Sequence, residues 1–120
     1  MAERKERFGK KVLVVGFGSV SRCTLPILFR YLDLPHLTVI DFEDKSAELK
    51  EWTDRGVRYV RERIDETNLG RVLSSHLERG GLLIDLAWNI DTCEMIRWCH
   101  DHGVLYVNTS VEQWHPEEGM

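Results

Sequence analysis

The sequence has 120 residues, 42% of them hydrophobic and 30% charged, and a formal net charge of −4 at pH 7. This length accommodates one domain with a buried core, and the acidic balance argues against nucleic-acid binding, which needs a basic surface. No apolar run approaches the ~20 residues of a membrane helix, and the N-terminus lacks the apolar segment of a secretory signal. We therefore expect neither a nucleic-acid nor a membrane partner.

Strands and helices are predicted to alternate along the chain, after a flexible leader at residues 1–10. The predicted strands are short apolar runs at residues 11–15, 37–40, 57–60, 82–88 and 104–108. The predicted helices lie at residues 19–32, 45–55, within 65–81 and at 91–103. This order predicts a Rossmann-type α/β domain at residues 11–114: a doubly wound parallel sheet of about five strands, with no second domain and with a tail at residues 115–120.

Several helix ends carry recognisable signals. Asp91 is a plausible N-cap, and Glu94 three residues later completes a capping-box-like pattern. Gly56 and Gly103 are predicted to end the helices that precede them. Pro26 is expected in the first turns of its helix, where proline is tolerated best.

The three cysteines favour reduced thiols in a cytoplasmic protein, because their number is odd and no CxxC pair occurs. The segment CHDH at residues 99–102 places two histidines close together. On a helix, however, His100 and His102 would lie on different faces. We therefore expect no metal site.

The segment VGFGSVSR at residues 15–22 follows the first predicted strand and begins the first helix. In open α/β sheets ligands bind at the carboxyl ends of the strands, near the switch point beside the first strand. Gly16 would permit the tight turn, Gly18 would let the backbone approach a pyrophosphate, and the helix beginning near Ser19 would direct its N–H groups toward it. A third glycine is replaced by Ser21, which is also small. The alternative is a simple strand-to-helix turn, since GxG turns are common.

Asp41 ends the second predicted strand, about 20 residues past the glycine loop. A carboxylate at this place accepts hydrogen bonds from the adenosine ribose hydroxyls of a dinucleotide. The alternative is that Asp41 only opens the polar turn DFED. Because the strand, the glycine loop, the helix and the carboxylate follow one another at the spacing of a dinucleotide-binding fingerprint, we favour nucleotide binding.

Polar residues also follow the other predicted strands, where each has an alternative role as a cap or turn former. They are Asp65, Asn89, Asn108, Thr109 and Glu112. The carboxyl ends of parallel strands meet at one edge, so these residues could form one polar rim. Asp85 lies within the fourth strand and must be paired or open to the site.

The segments VGFGSVSRCTLPILFR, TVIDFED, LLIDLAWNIDTCEMIRWCHDHGV and LYVNTSVEQW resemble the amino-terminal, dinucleotide-binding half of the bacterial homospermidine synthases, relatives of the saccharopine dehydrogenases. The resemblance runs from about Lys11 to Trp114. The DLAWNID and YVNTSVEQW motifs are much more specific than the glycine loop.

This resemblance implies a polyamine-biosynthetic transferase with tightly bound NAD. In the family one putrescine is oxidised and loses ammonia, a second condenses with the intermediate, and NADH reduces the Schiff base to homospermidine. It implies NAD contacts from Gly16, Gly18, Ser19, Val20 and Asp41. It also places Asn89 near the nicotinamide ribose and implies an amine-contacting, catalytic role for Glu112.

The family enzymes are considerably longer than this sequence. We therefore expect a homospermidine synthase-like NAD-binding domain that is inactive by itself. Two alternatives stay open. In the first alternative, the chain is a stand-alone NAD-binding or regulatory module. In the second, it carries half of an active site that is completed when copies of the chain associate.

Overall fold

The computed structural model describes residues 8–87, 90–108 and 114. Its elements, in chain order, are β1 (Val12–Val15), α1 (Ser19–Leu28), a 3₁₀ turn (Leu34–His36), β2 (Leu37–Asp41), α2 (Lys50–Thr53), β3 (Arg58–Arg61), α3 (Leu69–His76), β4 (Leu82–Asp85), α4 (Thr92–His102) and β5 (Leu105–Asn108). No helix within these ranges has the length and apolar character needed to cross a membrane.

The five described strands form one parallel sheet in the order β3-β2-β1-β4-β5. β1 lies at the centre, where Val12 pairs with Leu37 of β2 on one side and with Leu82 of β4 on the other. The chain therefore moves outward in one direction from β1 to β3 and then crosses back to β4. This arrangement confirms the predicted doubly wound Rossmann-type sheet, and it places the topological switch point at the carboxyl end of β1.

Alternate residues of β1 point into two separate cores, one on each face of the sheet. Val12 and Val14 pack with Leu25 of α1 and with Leu49, next to α2. On the opposite face, Leu13 and Val15 pack with the buried apolar residues of α3 and α4, which are Leu69, Val72, Leu73, Met95 and Cys99. Because both faces are covered, β1 is buried along its whole length, as its continuous apolar sequence predicted.

Two helices are shorter than the apolar spacing indicated. α1 ends at Leu28, and Pro26 lies in its last turn rather than in its first turns, so our placement of this proline was wrong. A proline ring clashes with the carbonyl group one turn earlier, and proline has no N–H to donate to that carbonyl. Both effects weaken the helix at this place, which fits its end two residues later. α2 is a single turn that is held by tertiary contacts. Leu49 is buried next to it, and the centroids of the Trp52 and Phe29 rings lie 3.9 Å apart.

The helix-end signals around α4 are confirmed. The Asp91 carboxylate accepts a hydrogen bond from the Glu94 N–H at 3.1 Å, and Gly103 follows the helix with φ +69°. Phe8 falls in the segment expected to be a leader. It donates its N–H to the Tyr31 carbonyl at 3.0 Å and packs against the α1-side core, so at least this residue is anchored.

Candidate functional site

A cleft opens at the switch point. Its lining comes from the carboxyl ends of four strands: residues 15–18 after β1, 40–43 and Lys45 after β2, 62–64 after β3, and 86, 87 and 90 after β4. Gly16, Gly18 and Asp41, predicted as cofactor contacts, all line it.

The two glycines of the loop have different conformations and different surroundings. Gly16 has φ +95°, and a Cβ added there would lie 2.9 Å from the Ala87 nitrogen. Gly18 has an ordinary φ of −116° as the N-cap of α1, and a Cβ added there would meet nothing within 4 Å. Gly16 is therefore required by the turn and by its packing on the end of β4. Gly18 instead leaves open space in the cleft.

Ser21 occupies the third small-residue position of the loop. Its side chain is fully buried, and its hydroxyl donates a hydrogen bond of 2.5 Å to the Gly16 carbonyl. The serine thus closes the loop onto the first turn of α1. A larger side chain would separate helix and strand at this place. A buried, hydrogen-bonded serine therefore fits the position where the dinucleotide fingerprint has its third glycine.

The Asp41 carboxylate joins the first two strand-end loops. One oxygen accepts the Phe17 N–H at 2.7 Å, and the other accepts the Glu43 N–H at 2.8 Å. Each carboxylate oxygen has more than one lone pair, so acceptor capacity remains for a ligand in the cleft. The alternative role of Asp41 in the DFED turn is therefore compatible with its role as a site residue, because the same carboxylate fixes both loops.

The outer wall of the cleft contains a contact that sequence reasoning missed. The Arg63 guanidinium lies 4.6 Å from the centroid of the Phe42 ring, in cation–π geometry. The two residues follow β2 and β3, which are neighbours in the sheet. They provide a flat aromatic and cationic surface that suits a planar base. Their position directly after two predicted strands was the available signal.

The other predicted site residues are distributed differently. Asp65 lies outside the cleft lining, in an exposed turn, where it accepts hydrogen bonds from the Thr67 hydroxyl and from the N–H groups of Thr67 and Asn68. The Thr67 hydroxyl bond, above all, holds the pKa of this carboxyl below its usual value. Ser19 and Val20 form the exposed first turn of α1 beside Gly18. Asn89, Thr109 and Glu112 lie outside the described residues.

Residues 12–119 match the family model described as the saccharopine dehydrogenase NADP binding domain. The chain belongs to this family. It is 34% identical over 108 residues to a homospermidine synthase of Mesorhizobium japonicum, a match that covers 86% of this chain and 22% of that protein. It is 31% identical over 113 residues to a homospermidine synthase of Blastochloris viridis, which covers 90% of this chain and 23% of that protein.

The crystal structure of a homospermidine synthase from Legionella pneumophila in complex with NAD superposes with a TM-score of 0.81 at 29% identity, over 92% of this chain and 24% of that one. The resemblance to homospermidine synthases and to saccharopine dehydrogenases is thus confirmed. The chain spans less than a quarter of the length of these relatives.

In this saccharopine dehydrogenase-type domain, a buried carboxylate supports the cleft from behind. Asp85, which is 4% exposed at the end of β4, accepts the Tyr106 hydroxyl at 2.7 Å and the Ala87 N–H at 3.2 Å. The Asn108 amide donates to the same hydroxyl at 3.2 Å. Asp85 is therefore paired, one of the two possibilities considered for it. Because Ala87 packs on Gly16, this network connects the end of β5 to the glycine loop.

Two groups in and beside this network, the Tyr106 hydroxyl and the Cys99 thiol, have raised pKa values because they are buried. Burial, reinforced by the hydrogen bond to Asp85, raises the pKa of Tyr106 well above its usual value. Burial and the nearby Asp85 charge raise the pKa of the Cys99 thiol to about 12. Both groups are therefore neutral at physiological pH, and the tyrosine hydroxyl keeps the proton that it donates to Asp85.

We expect Tyr106→Phe to lower the free energy of unfolding by about 1–3 kcal/mol, because Asp85 then stays buried with one donor fewer. Urea denaturation measures this change. In a double-mutant cycle with Asp85→Asn, the cost of removing the hydroxyl should fall, since the neutral amide is easier to leave without that donor. An equal cost in both backgrounds would show that the Tyr106–Asp85 bond does not stabilise the domain.

Proposed function

We propose that this chain binds NAD in the cleft at the switch point, as the dinucleotide-binding domain of a homospermidine synthase-like enzyme. The observation that carries the proposal is the loop itself: Gly18 leaves space next to the start of α1, while the Asp41 carboxylate stands at the end of the neighbouring strand. The family match supports a dinucleotide ligand, and the Legionella pneumophila relative was crystallised with NAD.

The residues present fit the parts of such a cofactor. The open space at Gly18 and the N–H groups of the first turn of α1, at Ser19 and Val20, suit a pyrophosphate. Asp41 suits the hydroxyls of the adenosine ribose, and the Phe42–Arg63 surface suits adenine. Asn89, Asn108 and Thr109 are proposed for the nicotinamide end, together with Asp65 as a further contact at the rim.

We expect NAD to bind about tenfold or more tightly than NADP, because a 2′-phosphate would meet the negative charges of Asp41 and Glu43 at the cleft. The cations of the same wall are already engaged. Lys45 lies 3.8 Å from the Glu43 carboxylate and 3.7 Å from that of Glu48, and Arg63 lies over Phe42. Titration calorimetry with both cofactors measures the ratio.

Asp41→Asn should reduce this preference, since it removes the charge while keeping one acceptor oxygen for the loop. Asp54→Asn is the matched control, because it removes an exposed carboxylate that does not line the cleft. Circular dichroism on each sample verifies the fold. NADP affinity equal to or higher than NAD affinity in the unaltered chain would contradict the assignment of Asp41.

NAD supplies such an enzyme with a hydride acceptor and, once reduced, a hydride donor. The chain's own contribution to amine chemistry is proposed to be Glu112, whose carboxylate suits a putrescine ammonium group. Hydride transfer requires the reacting carbon to be held close to the nicotinamide, and a misplacement of ~1 Å can cost ~100-fold in rate. It also requires shelter from water, so that the imine is not hydrolysed.

The chain spans less than a quarter of the length of the homospermidine synthases that it matches. We therefore expect that it cannot meet both requirements by itself and forms no homospermidine from putrescine and NAD. The assay is mass spectrometry of the amines over a series of protein concentrations, with Glu112→Gln as the comparison. Robust formation that depends on Glu112 would show that these residues suffice for the reaction. A rate per chain that rises with concentration would instead indicate a site completed by association.

A further inference from the structure

A second hollow lies at the amino ends of the strands, the opposite end of the sheet from the cleft. Its lining lies wholly within residues 11–76 and comes from the starts of β1, β2 and β3, the 3₁₀ turn before β2 and the last turn of α3. The titratable side chains that line it are all basic: Lys11, His36, Arg58 and His76. The whole sequence, by contrast, has 20 acidic residues against 16 lysines and arginines. We call this concentration of basic groups the basic hollow.

The strand register brings Arg58 next to Thr38 in the basic hollow. The two residues are paired positions of β3 and β2, so their Cα atoms lie about 4.8 Å apart and their side chains project to the same face of the sheet. That face is the one covered by α3 and α4, since Ile40, two residues after Thr38, packs in their core. A cation and a hydroxyl are therefore held side by side by the sheet itself.

The strongest cations of the basic hollow are not neutralised within the part of the chain that the structure describes. The Lys11 ammonium and the Arg58 guanidinium form no ion pair there. Two neighbouring carboxylates are engaged elsewhere. Glu62 pairs with Arg71, and Glu78 accepts the backbone N–H of Lys11 at 2.8 Å. Both cations thus remain available to an anion.

Thr38 contributes a polar group that the fold itself leaves unused. The residue is 5% exposed and lines the basic hollow, yet its hydroxyl has no hydrogen-bond partner among the described residues. None of their side-chain oxygens is both fully enclosed and unpartnered, so this hydroxyl must open to the hollow. Ser75 differs, because its hydroxyl donates to the Arg71 carbonyl at 2.8 Å. A nearly buried hydroxyl without a partner costs free energy, which an acceptor entering the hollow would recover.

We propose that the basic hollow binds a phosphate group, either as inorganic phosphate or on a small phosphate monoester. Arg58 and Lys11 supply charge-assisted hydrogen bonds, which are the strong ones for oxyanions. The Thr38 hydroxyl supplies a neutral donor, and the half-buried His76 ring supplies a further one. Donors from three strands and a helix surround one point, which suits a tetrahedral oxyanion. The site uses none of the residues assigned to NAD and is independent of the proposed function.

His76 provides a reporter inside the basic hollow. Burial, above all, lowers the pKa of His76 below its usual value, Glu62 opposes this shift, and Lys11, Arg58 and Arg71 add to it. A bound phosphate dianion favours the imidazolium form and so counteracts the neighbouring cations. The pKa of His76, measured by NMR titration of its ring, should therefore rise when phosphate is present.

An NMR titration with inorganic phosphate at constant ionic strength tests the proposal. The His76 ring signals, assigned through His76→Gln, should shift saturably. Arg58→Gln should weaken phosphate binding at least about tenfold, because it removes a charge-assisted hydrogen bond. Arg30→Gln is the matched control, since it removes the same charge from an exposed position that lines neither the hollow nor the cleft. No saturable shift, or equal weakening by Arg30→Gln, overturns the proposal.

Thr38→Val separates phosphate binding from packing, because valine has the same shape and lacks the hydroxyl. Urea denaturation should show no loss of stability, since the hydroxyl has no partner to lose, whereas phosphate affinity should fall at least about threefold. Unchanged phosphate affinity in Thr38→Val contradicts the proposed site.

Methyl phosphate distinguishes the two forms of the ligand. It should bind as tightly as inorganic phosphate if the basic hollow accepts monoesters, which the exposure of Lys11 and Arg58 favours. Binding at least about tenfold weaker would assign the hollow to free phosphate. Failure of both anions to shift the His76 signals would refute the site.

Discussion

Replacing Gly18 with valine is expected to weaken NAD binding at least about 100-fold while the domain stays folded. The added side chain would project into the open space next to the start of α1, where we place the pyrophosphate. The fold should tolerate it for two reasons. A Cβ at this position meets nothing within 4 Å, and the backbone there is extended with a negative φ of −116°, so a side chain meets no left-handed strain. The loss as an N-cap costs less than about 1 kcal/mol.

Titration calorimetry and urea denaturation on the same preparation separate binding from stability. Gly70→Val is the matched control, since a Cβ at Gly70 also meets nothing within 4 Å but the residue lies in α3, outside the cleft. It should leave NAD affinity unchanged, and the helix should not suffer because valine has a higher helix propensity than glycine. Undiminished affinity in Gly18→Val would mean that the glycine loop is only a turn between strand and helix.

Gly16→Ala is expected to do the opposite, lowering the free energy of unfolding by about 2–4 kcal/mol. Alanine at φ +95° is strained, and its Cβ would lie within 3.0 Å of backbone atoms of Leu86 and Ala87. Backbone atoms cannot rotate away as the end of a side chain can. Relief therefore requires the loop after β4 to move, which would also disturb the Asp85–Ala87 hydrogen bond.

Gly18→Ala provides the comparison for Gly16→Ala, because the same methyl group is added two residues away where space and φ allow it. The urea concentrations at the two unfolding midpoints should differ clearly. The free energy of unfolding of Gly18→Ala should lie within about 0.5 kcal/mol of that of the unaltered chain. If Gly16→Ala is as stable as Gly18→Ala, the close approach of the loop to the end of β4 does not exist in solution.

The sequence was sufficient for the elements and their topology because the signals for them are local. The β-branched run of β1, the Asp91–Glu94 capping pattern and the glycines after α2 and α4 each concern neighbouring residues. Strand–helix alternation then leaves few arrangements of the sheet. Helix length was less predictable. α2 is only one turn long, and its position depends on tertiary contacts: Leu49 is buried, and the Trp52 ring packs at an angle against Phe29.

The cleft was predictable at the glycine loop and at Asp41, but only in part. The Phe42–Arg63 contact depends on the register of β2 against β3, which no local pattern specifies. Asp65 followed a strand as expected, yet its carboxylate is engaged in the turn before α3. The roles assigned to Asn89, Thr109 and Glu112 stay predictions.

The strand order also has a consequence for how the chain folds during synthesis. β1 is synthesised before β4, its second neighbour in the sheet, and the register joins Val12 to Leu82. Until that part of the chain has left the ribosome, the central strand has one open edge, and Leu13 and Val15 lack the helices that cover them. Such surfaces bind chaperones or aggregate. A nascent chain released before α4 is complete should therefore be a substrate for chaperones rather than a smaller stable domain.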